Sequence, residues 1–239
     1  MREIQLENLK LINGDCEDVM NGIPDKSIDF ILTDIPYELH QHGGGVKGDF
    51  SSRKMINNID RSLDFISNGI NYDKIFNEFR RICKYVNCCI FCSNKQIGKI
   101  MTWWEQKGYV ATLLVWDKPN PIPLCNSKYI SNLEFIIYVR EKGAVYNNVG
   151  YNFQLKTFHY QAPKSRIHET EKPISLLQHL LMIHTNKNDL VFDAYAGSFT
   201  TAIACFKEQR RFIGCEILSK YFDPAVERLK TLTQQKTLF

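Results

Sequence analysis

The chain has 239 residues, of which 44% are hydrophobic, and a formal net charge of +4 at pH 7. This length allows one large α/β core, and no apolar stretch approaches the length of a membrane helix, which argues against a membrane protein. Residues 1–10 are charged and have no apolar core, so we expect no signal peptide and a cytoplasmic location.

The predicted elements alternate between strands and helices. Apolar runs predict strands at residues 9–13, 28–33, 85–92, 109–116, 132–139, 189–193 and 211–216. Helical periodicity predicts helices at residues 16–21, 71–83, 95–107, 173–184, 199–208 and 219–232. This alternation favours one α/β domain over residues 1–239, with a doubly wound, mostly parallel sheet and helices on both faces.

A first candidate site follows the strand at residues 28–33. This strand is apolar from Ile28 to Leu32 except at Asp29, and it leads into Asp-Ile-Pro-Tyr at residues 34–37. A carboxylate, a stiff turn and an aromatic ring at the carboxyl end of a buried strand lie where open α/β sheets bind their ligands.

The four residues of this tetrad suggest a grip on an amino group of a planar base. Asp34 offers acceptors, Pro36 stiffens the loop and directs the carbonyl of Ile35 to the same target, and the Tyr37 ring could stack on the base. Taken alone, however, the tetrad is better explained as an ordinary strand exit with an Asx-type cap.

The strand at residues 85–92 contains the densest group of the eight cysteines. Cys89 and Cys92 form a CxxC pair, but there is no second pair at zinc spacing and no histidine nearby. We therefore expect buried, reduced thiols and no metal site.

A second candidate site follows the strand at residues 189–193. Small residues after that strand let the backbone approach a ligand, and the next helix points free N–H groups at it. Glu216 ends the following strand roughly twenty residues further on, where nucleotide-binding βαβ units place the acid that holds ribose hydroxyls. A nucleoside cofactor is favoured, and a purely structural βαβ unit is the alternative.

Together with Asn13-Gly14-Asp15, Val115 to Asn120 and Glu171-Lys172-Pro173, these segments resemble the DNA amino-methyltransferases that use S-adenosylmethionine. The resemblance covers nearly the whole chain. The permuted order, with the catalytic motif first, a target-recognition region next and the cofactor motif last, is that of their β class. It implies a Rossmann-like methyltransferase sheet, S-adenosylmethionine as cofactor and double-stranded DNA as partner, with a homodimer left open.

The resemblance also implies residue roles. The target base would be bound by Asp34, Ile35, Pro36 and Tyr37. The cofactor would be bound by Asp15 at the adenine edge, Lys172 beside the methionine carboxylate, Glu216 at the ribose, and Asp193, Ala194, Ala196, Gly197 and Ser198 at the methionine end. From the residues alone, Asp15 could as well cap the helix at 16–21, and Lys172 could be a solvated charge at a helix start.

The implied reaction moves a methyl group to the exocyclic amino group of a flipped-out base. An aspartate at the head of the tetrad favours adenine N6, because family members acting on cytosine N4 more often carry serine there. The alternatives are a cytosine-N4 or RNA target, and a DNA-binding module that has lost catalysis. A dinucleotide oxidoreductase is disfavoured because the turn at 196–199 lacks G-x-G-x-x-G.

Two positions depart from the family pattern. Ile35 replaces a proline, which matters little if the backbone carbonyl does the binding. Phe199 replaces a glycine in the cofactor turn. Since a bulky aromatic does not easily adopt positive φ, we expect either a differently built turn or a differently held cofactor.

Residues 117–166 are the expected target-recognition region. They hold seven basic and three acidic side chains, which accounts for the whole net charge, and they are rich in aromatic residues. This mixture suits a surface that meets phosphates and base edges, and a solvated face over an aromatic core is the alternative for single residues.

The long polar stretch at residues 38–58 is interpreted as a mobile flap over DNA, with candidate phosphate contacts at His40, His42, Lys47, Arg53 and Lys54.

Overall fold

The computed structural model describes residues 1–37, 70–121, 129–163 and 171–236. The expected flap at residues 38–58, with its five candidate phosphate contacts, lies outside the described residues. The same holds for three basic residues of the 117–166 segment, Lys128, Lys164 and Arg166.

Within these four ranges, nine strands and six α-helices are present. The strands are β1 Arg2–Leu6, β2 Leu9–Asn13, β3 Phe30–Asp34, β4 Asn87–Cys92, β5 Val110–Asp117, β6 Leu133–Arg140, β7 Thr157–His159, β8 Leu190–Asp193 and β9 Arg211–Glu216. The helices are α1 Cys16–Asn21, α2 Tyr72–Ile82, α3 Ile97–Gln106, α4 Ile174–His184, α5 Thr200–Lys207 and α6 Ser219–Lys236, with a 3₁₀ turn at Tyr151–Phe153. Every predicted element is found, whereas β1, β7 and the 3₁₀ turn were not predicted.

All nine strands form one sheet in the order β1-β2-β9-β8-β3-β4-β6-β5-β7. Its central strands β2, β9, β8, β3 and β4 are parallel to one another. Antiparallel pairs join β1 to β2, β4 to β6 and β6 to β5. The prediction of a doubly wound, mostly parallel sheet is confirmed. The strand before the cofactor turn, β8, pairs directly with β3, whose end carries the tetrad.

The central strands are apolar on both sides, which is why helices cover both faces of the sheet. In β3, Phe30 and Leu32 face a core that contains α4, α5 and α6, whereas Ile31 faces a core that contains α1, α2 and α3. Such alternation follows from the two-residue period of a strand.

The described cysteines agree with the expectation of reduced thiols. All seven are buried and free, and Cys125 lies outside the described ranges. Burial raises the pKa of the Cys89 thiol well above its usual value. Among the residues that the structure describes, no group of His, Cys, Asp or Glu could hold a metal ion, and no helix has the length and apolar character to cross a membrane.

Candidate active site

Four acidic residues lie at the carboxyl ends of neighbouring strands in the sheet. Asp15 follows β2 by two residues, and Glu216, Asp193 and Asp34 are the last residues of β9, β8 and β3. These four strands are adjacent and parallel, so their carboxyl ends meet at the same edge. The two candidate sites of the sequence are therefore parts of one site.

The backbone of the tetrad is fixed by the neighbouring strand and the loop after it. Ile35 donates its N–H to the carbonyl of Phe91 at 3.3 Å, and its side chain is buried in the core. The carbonyl of Pro36 accepts a 3.0 Å hydrogen bond from the amide of Gln96, which is itself fully buried. The turn after Asp34 is thus held from the side of β4, and Gln96 is a residue that sequence reasoning missed.

Asp34 is held by one oxygen only. Its Oδ2 lies 2.5 Å from Nζ of Lys172, whereas Oδ1 is buried without a hydrogen-bond partner among the described residues. The side chain as a whole keeps 29% exposure, although Oδ1 itself is buried. Burial raises the pKa of Asp34, and the Lys172 ammonium opposes the rise. An unpaired buried acceptor is costly, and it fits an incoming amino group.

Lys172 is not a solvated charge, which was the alternative left open by the sequence. It is 6% exposed, and its Nζ also lies 3.1 Å from Oε2 of Glu134 on β6. Oε1 of Glu134 lies 2.6 Å from Nζ of Lys118. Burial alone would raise the pKa of Glu134, but the two ammonium groups lower it.

Sequence reasoning missed Glu134 and placed Lys118 only among the basic residues of the 117–166 segment. The available signal was a carboxylate at the second position of the strand Leu133–Arg140, directly before its apolar run from Phe135 to Val139. Lys118 is only 17% exposed and is paired inside the site, so it does not belong to a free phosphate-binding surface.

Tyr37 faces the same charged group. Its hydroxyl lies 3.4 Å from Oε2 of Glu134 and 3.5 Å from Nζ of Lys172, and that Nζ lies 5.6 Å from the centre of the ring. Burial, followed by the charges of Asp34 and Glu134, raises the pKa of Tyr37 far above its usual value. The phenol is therefore neutral at any working pH, and its ring is positioned beside Asp34.

Asp193 fixes the shape of the cofactor turn. Its Oδ1 accepts hydrogen bonds from Thr33 Oγ1 at 2.8 Å and from the N–H of Tyr195 at 3.1 Å, and its Oδ2 accepts one from Thr201 Oγ1 at 2.7 Å. Burial raises the pKa of this carboxyl to about 6. Because both oxygens accept hydrogen bonds within the protein, Asp193 stabilises the turn that includes Ala194, Ala196 and Ser198.

Gly197 leaves room for a ligand beside Glu216. It has φ +51°, and a Cβ at this position would have no atom within 4 Å. Its N–H donates to Oε2 of Glu216 at 3.0 Å, and the N–H of Leu218 donates to Oε1 at 2.8 Å. Open space next to a partly exposed carboxylate at a strand end fits the ribose of a nucleoside cofactor.

Phe199 corrects the expectation of a differently built turn. It adopts the left-handed conformation itself, with φ 56° and ψ 33°, directly before α5. Its side chain is fully buried, with ring centroids 6.2 Å from Phe212 and 5.6 Å from Phe222. The left-handed conformation costs about 1–2 kcal/mol, and burial of a phenyl ring, worth about 1.5–3 kcal/mol, offsets it.

The start of α5 is fixed by a second group that the sequence did not reveal. Glu171 accepts a 2.7 Å hydrogen bond from Thr200 and forms a 2.5 Å ion pair with Arg228 of α6. Arg228 also donates to the carbonyl of Ser198 at 2.5 Å. Glu171 and its neighbour Lys172 therefore contact opposite halves of the site, the cofactor turn and Asp34.

Asp15 caps α1, as one of its two interpretations predicted. Its Oδ1 accepts a 2.8 Å hydrogen bond from the N–H of Glu17. The preceding Asn13 donates to the carbonyl of Glu216 at 2.8 Å, which joins the ends of β2 and β9. The contact of Asp15 with a cofactor stays a prediction.

Comparison with known proteins yields one family. The model of the N6/N4 DNA methylase family matches residues 28–227. The type II methyltransferase M2.MboI of Moraxella bovis is 26% identical over 248 aligned residues, which cover 95% of this chain and 89% of that protein. The crystal structure of the M1.HpyAVI-SAM complex is 25% identical and superimposes with a TM-score of 0.69, covering 92% of this chain and 98% of the other. The cytosine-N4-specific PvuII DNA methyltransferase, at 14% identity and a TM-score of 0.74 over 93% and 86% of the two chains, shows the fold alone.

Proposed function

The chain belongs to the N6/N4 DNA methylase family, whose members act on adenine N6 or cytosine N4, and from this premise we propose that it transfers a methyl group to N6 of adenine in DNA. The observation that carries the proposal is the buried, unpartnered Oδ1 of Asp34 at the head of the tetrad. The choice of adenine rests on the resemblance, in which aspartate at this position favours adenine.

S-adenosylmethionine is the methyl donor, and it supplies an electrophilic methyl group when bound. The open space beside Gly197 and the carboxylate of Glu216 fit its nucleoside. We propose that Glu216 binds the ribose and Asp15 the adenine edge. The resemblance places Lys172 beside the methionine carboxylate, but its buried ammonium is paired with Asp34 and Glu134 instead. The methionine end would be lined by Asp193, Ala194, Ala196, Gly197 and Ser198.

The chain's own residues orient the target amino group. Asp34 Oδ1 and the carbonyl of Ile35 accept its two hydrogens, which draws the nitrogen toward a tetrahedral shape and frees its lone pair for the methyl group. Tyr37 stacks on the base and partly offsets the few kcal/mol that flipping costs. Positioning and electrostatics then supply the catalysis, with no covalent intermediate on the protein.

We also propose double-stranded DNA as the substrate and residues 117–166 as the region that contacts it. Several of its aromatic side chains are exposed, with Tyr129 fully exposed and Tyr151 82% exposed. Aromatic rings beside basic residues suit contact with bases and phosphates. A homodimer is a separate proposal, which sedimentation of the purified protein tests.

The test is transfer of labelled methyl groups from S-adenosylmethionine to unmethylated double-stranded DNA, with identification of the labelled nucleoside by mass spectrometry. Asp34→Asn keeps the shape of the side chain and removes its charge, so we expect label in N6-methyladenine for the wild type and at least a hundredfold less, on the order of one lost transition-state contact, for the variant. Asp25→Asn is the matched control, because Asp25 is 72% exposed and its one ion pair among the described residues is with Arg81 of α2.

The outcomes separate the alternatives. Label in N4-methylcytosine would keep the mechanism and overturn the choice of base. Label in an RNA substrate assayed in parallel, with none in DNA, would overturn the choice of substrate. DNA binding without any label would identify a binding module that has lost catalysis.

A further inference from the structure

Lys118, Glu134, Lys172 and Asp34 form a row of alternating charges. The ion-pair distances along the row are 2.6 Å, 3.1 Å and 2.5 Å. The four residues come from the loop after β5, from β6, from the segment before α4 and from β3. The Lys172 ammonium at the centre is thus shared between two carboxylates, of which only Asp34 belongs to the tetrad.

Stability does not explain this arrangement well. Buried ion pairs lose so much hydration that apolar residues of similar volume are often as stabilising or more so. The side chains of Lys172 and Glu134 are 7% and 17% exposed, so both have lost most of their water. A second buried carboxylate on Lys172 therefore points to a role in the reaction.

The effect of sharing is electrostatic. An ammonium devoted to one carboxylate neutralises it and weakens it as a hydrogen-bond acceptor, whereas a second carboxylate on the ammonium leaves more negative charge on the first. Glu134 is the better stabilised of the two anions, because it has two ammonium partners and its pKa is lowered. Asp34 has one, and its pKa is raised by burial.

We propose that Glu134 is a positioning residue that shares the Lys172 ammonium and thereby preserves Asp34 as a strong acceptor for the target amino group. The inference rests on the proposed function, since it deepens the role given to Asp34. Other groups that face Asp34 are Tyr37, the thiol of Cys92 on β4 and Asp193 on β8.

The experiment uses Glu134→Gln, which keeps the shape of the side chain and removes its charge. In the ligand-free protein, the midpoint of the Asp34 ¹³Cγ titration should move to lower pH by about one pH unit, because a like charge is lost. In single-turnover methyl transfer, the rate should fall about tenfold or more while the Kd for S-adenosylmethionine stays within about threefold. Glu105→Gln, at an exposed position of α3, is the control for both measurements.

A second variant should shift the midpoint of the Asp34 titration in the opposite direction. Lys118→Gln removes a positive charge from the row, so Glu134 attracts Lys172 more strongly and the Asp34 midpoint should move to higher pH. This arm decides the question if Glu134→Gln does not fold. A merely structural role would lower activity without moving the midpoint in opposite directions.

The inference is overturned if neither variant moves the Asp34 midpoint, or if both move it the same way. The carboxyl titration does not need catalysis. A wild-type protein that transfers no methyl group would therefore overturn the proposed function, while the titration still decides whether Glu134 controls Asp34.

Discussion

Thr33 of β3 donates a 2.8 Å hydrogen bond to the carboxylate of Asp193 on β8. The contact joins the strand that ends in the tetrad to the strand that begins the cofactor turn. Asp193 also accepts a hydrogen bond from Thr201 in α5, so one buried carboxylate connects both halves of the site. Protonation of Asp193 should therefore affect the stability of both halves of the site.

The first prediction is that Asp193→Asn removes a pH dependence of stability. Burial raises the pKa of Asp193 from 3.8 to about 6 in the folded protein, so the folded state holds the proton more tightly than the unfolded state. Stability should accordingly fall between pH 3.8 and 6 by about 3 kcal/mol and then level off. Urea unfolding across this range, as the difference between wild type and variant, measures the effect. Parallel stability curves would contradict it.

The second prediction concerns acid stability and His184. Its ring packs 4.1 Å from Tyr138 and 5.3 Å from Phe30, measured between centroids, and burial lowers its pKa to about 3. As the pH falls below 6.5, His184 is protonated in the unfolded chain but stays neutral in the folded protein. This group therefore destabilises the fold progressively below pH 6.5. His184→Phe should therefore be more stable than the wild type by about 2–3 kcal/mol near pH 4.5, with little gain at pH 8.

Urea titrations at the two pH values check this prediction, with His159→Gln as the control, because His159 is 67% exposed. An equal change at both pH values would indicate a packing effect without linkage to the proton.

The third prediction separates backbone strain from ligand contact at Gly197. Gly197→Ala places a Cβ in the open space beside Glu216, so affinity for S-adenosylmethionine should fall about tenfold or more. Gly108→Ala is the matched control, since Gly108 also has positive φ, at +83°, and no atom within 4 Å of an added Cβ. Both variants should lose about 1–2 kcal/mol of stability, but only Gly197→Ala should lose affinity in calorimetric titrations. Equal affinities would place the cofactor elsewhere.

The fourth prediction is that Phe199 is a core residue whose truncation strongly destabilises the protein. Phe199→Ala leaves a cavity against Phe212 and Phe222 and keeps the strained backbone, so the free energy of unfolding should fall by about 3–5 kcal/mol. Tyr151→Ala, at an 82% exposed ring, should change it by less than about 1 kcal/mol. Urea unfolding of both variants measures the difference, and similar losses would show that burial does not offset the strain.

Local patterns were sufficient for most of the fold. The apolar runs of the central strands and the 3.6-residue period of the helices depend on neighbouring residues, and they predicted the mostly parallel sheet. They failed at β1, whose Arg-Glu-Ile-Gln-Leu sequence is largely exposed, and at β7, which has three residues. Both lie at sheet edges, where pairing with a neighbour decides the structure.

The sequence by itself determined the two motifs and their order, because each motif is a short run with its own chemistry. The tertiary structure alone decided that Lys172 meets Asp34, 138 residues away, and that Glu134 shares its charge. It also decided that Phe199 takes a conformation which its residue type disfavours. In both cases the cause is burial: ions removed from water must find partners, and a buried ring offsets local strain, whatever the separation along the chain.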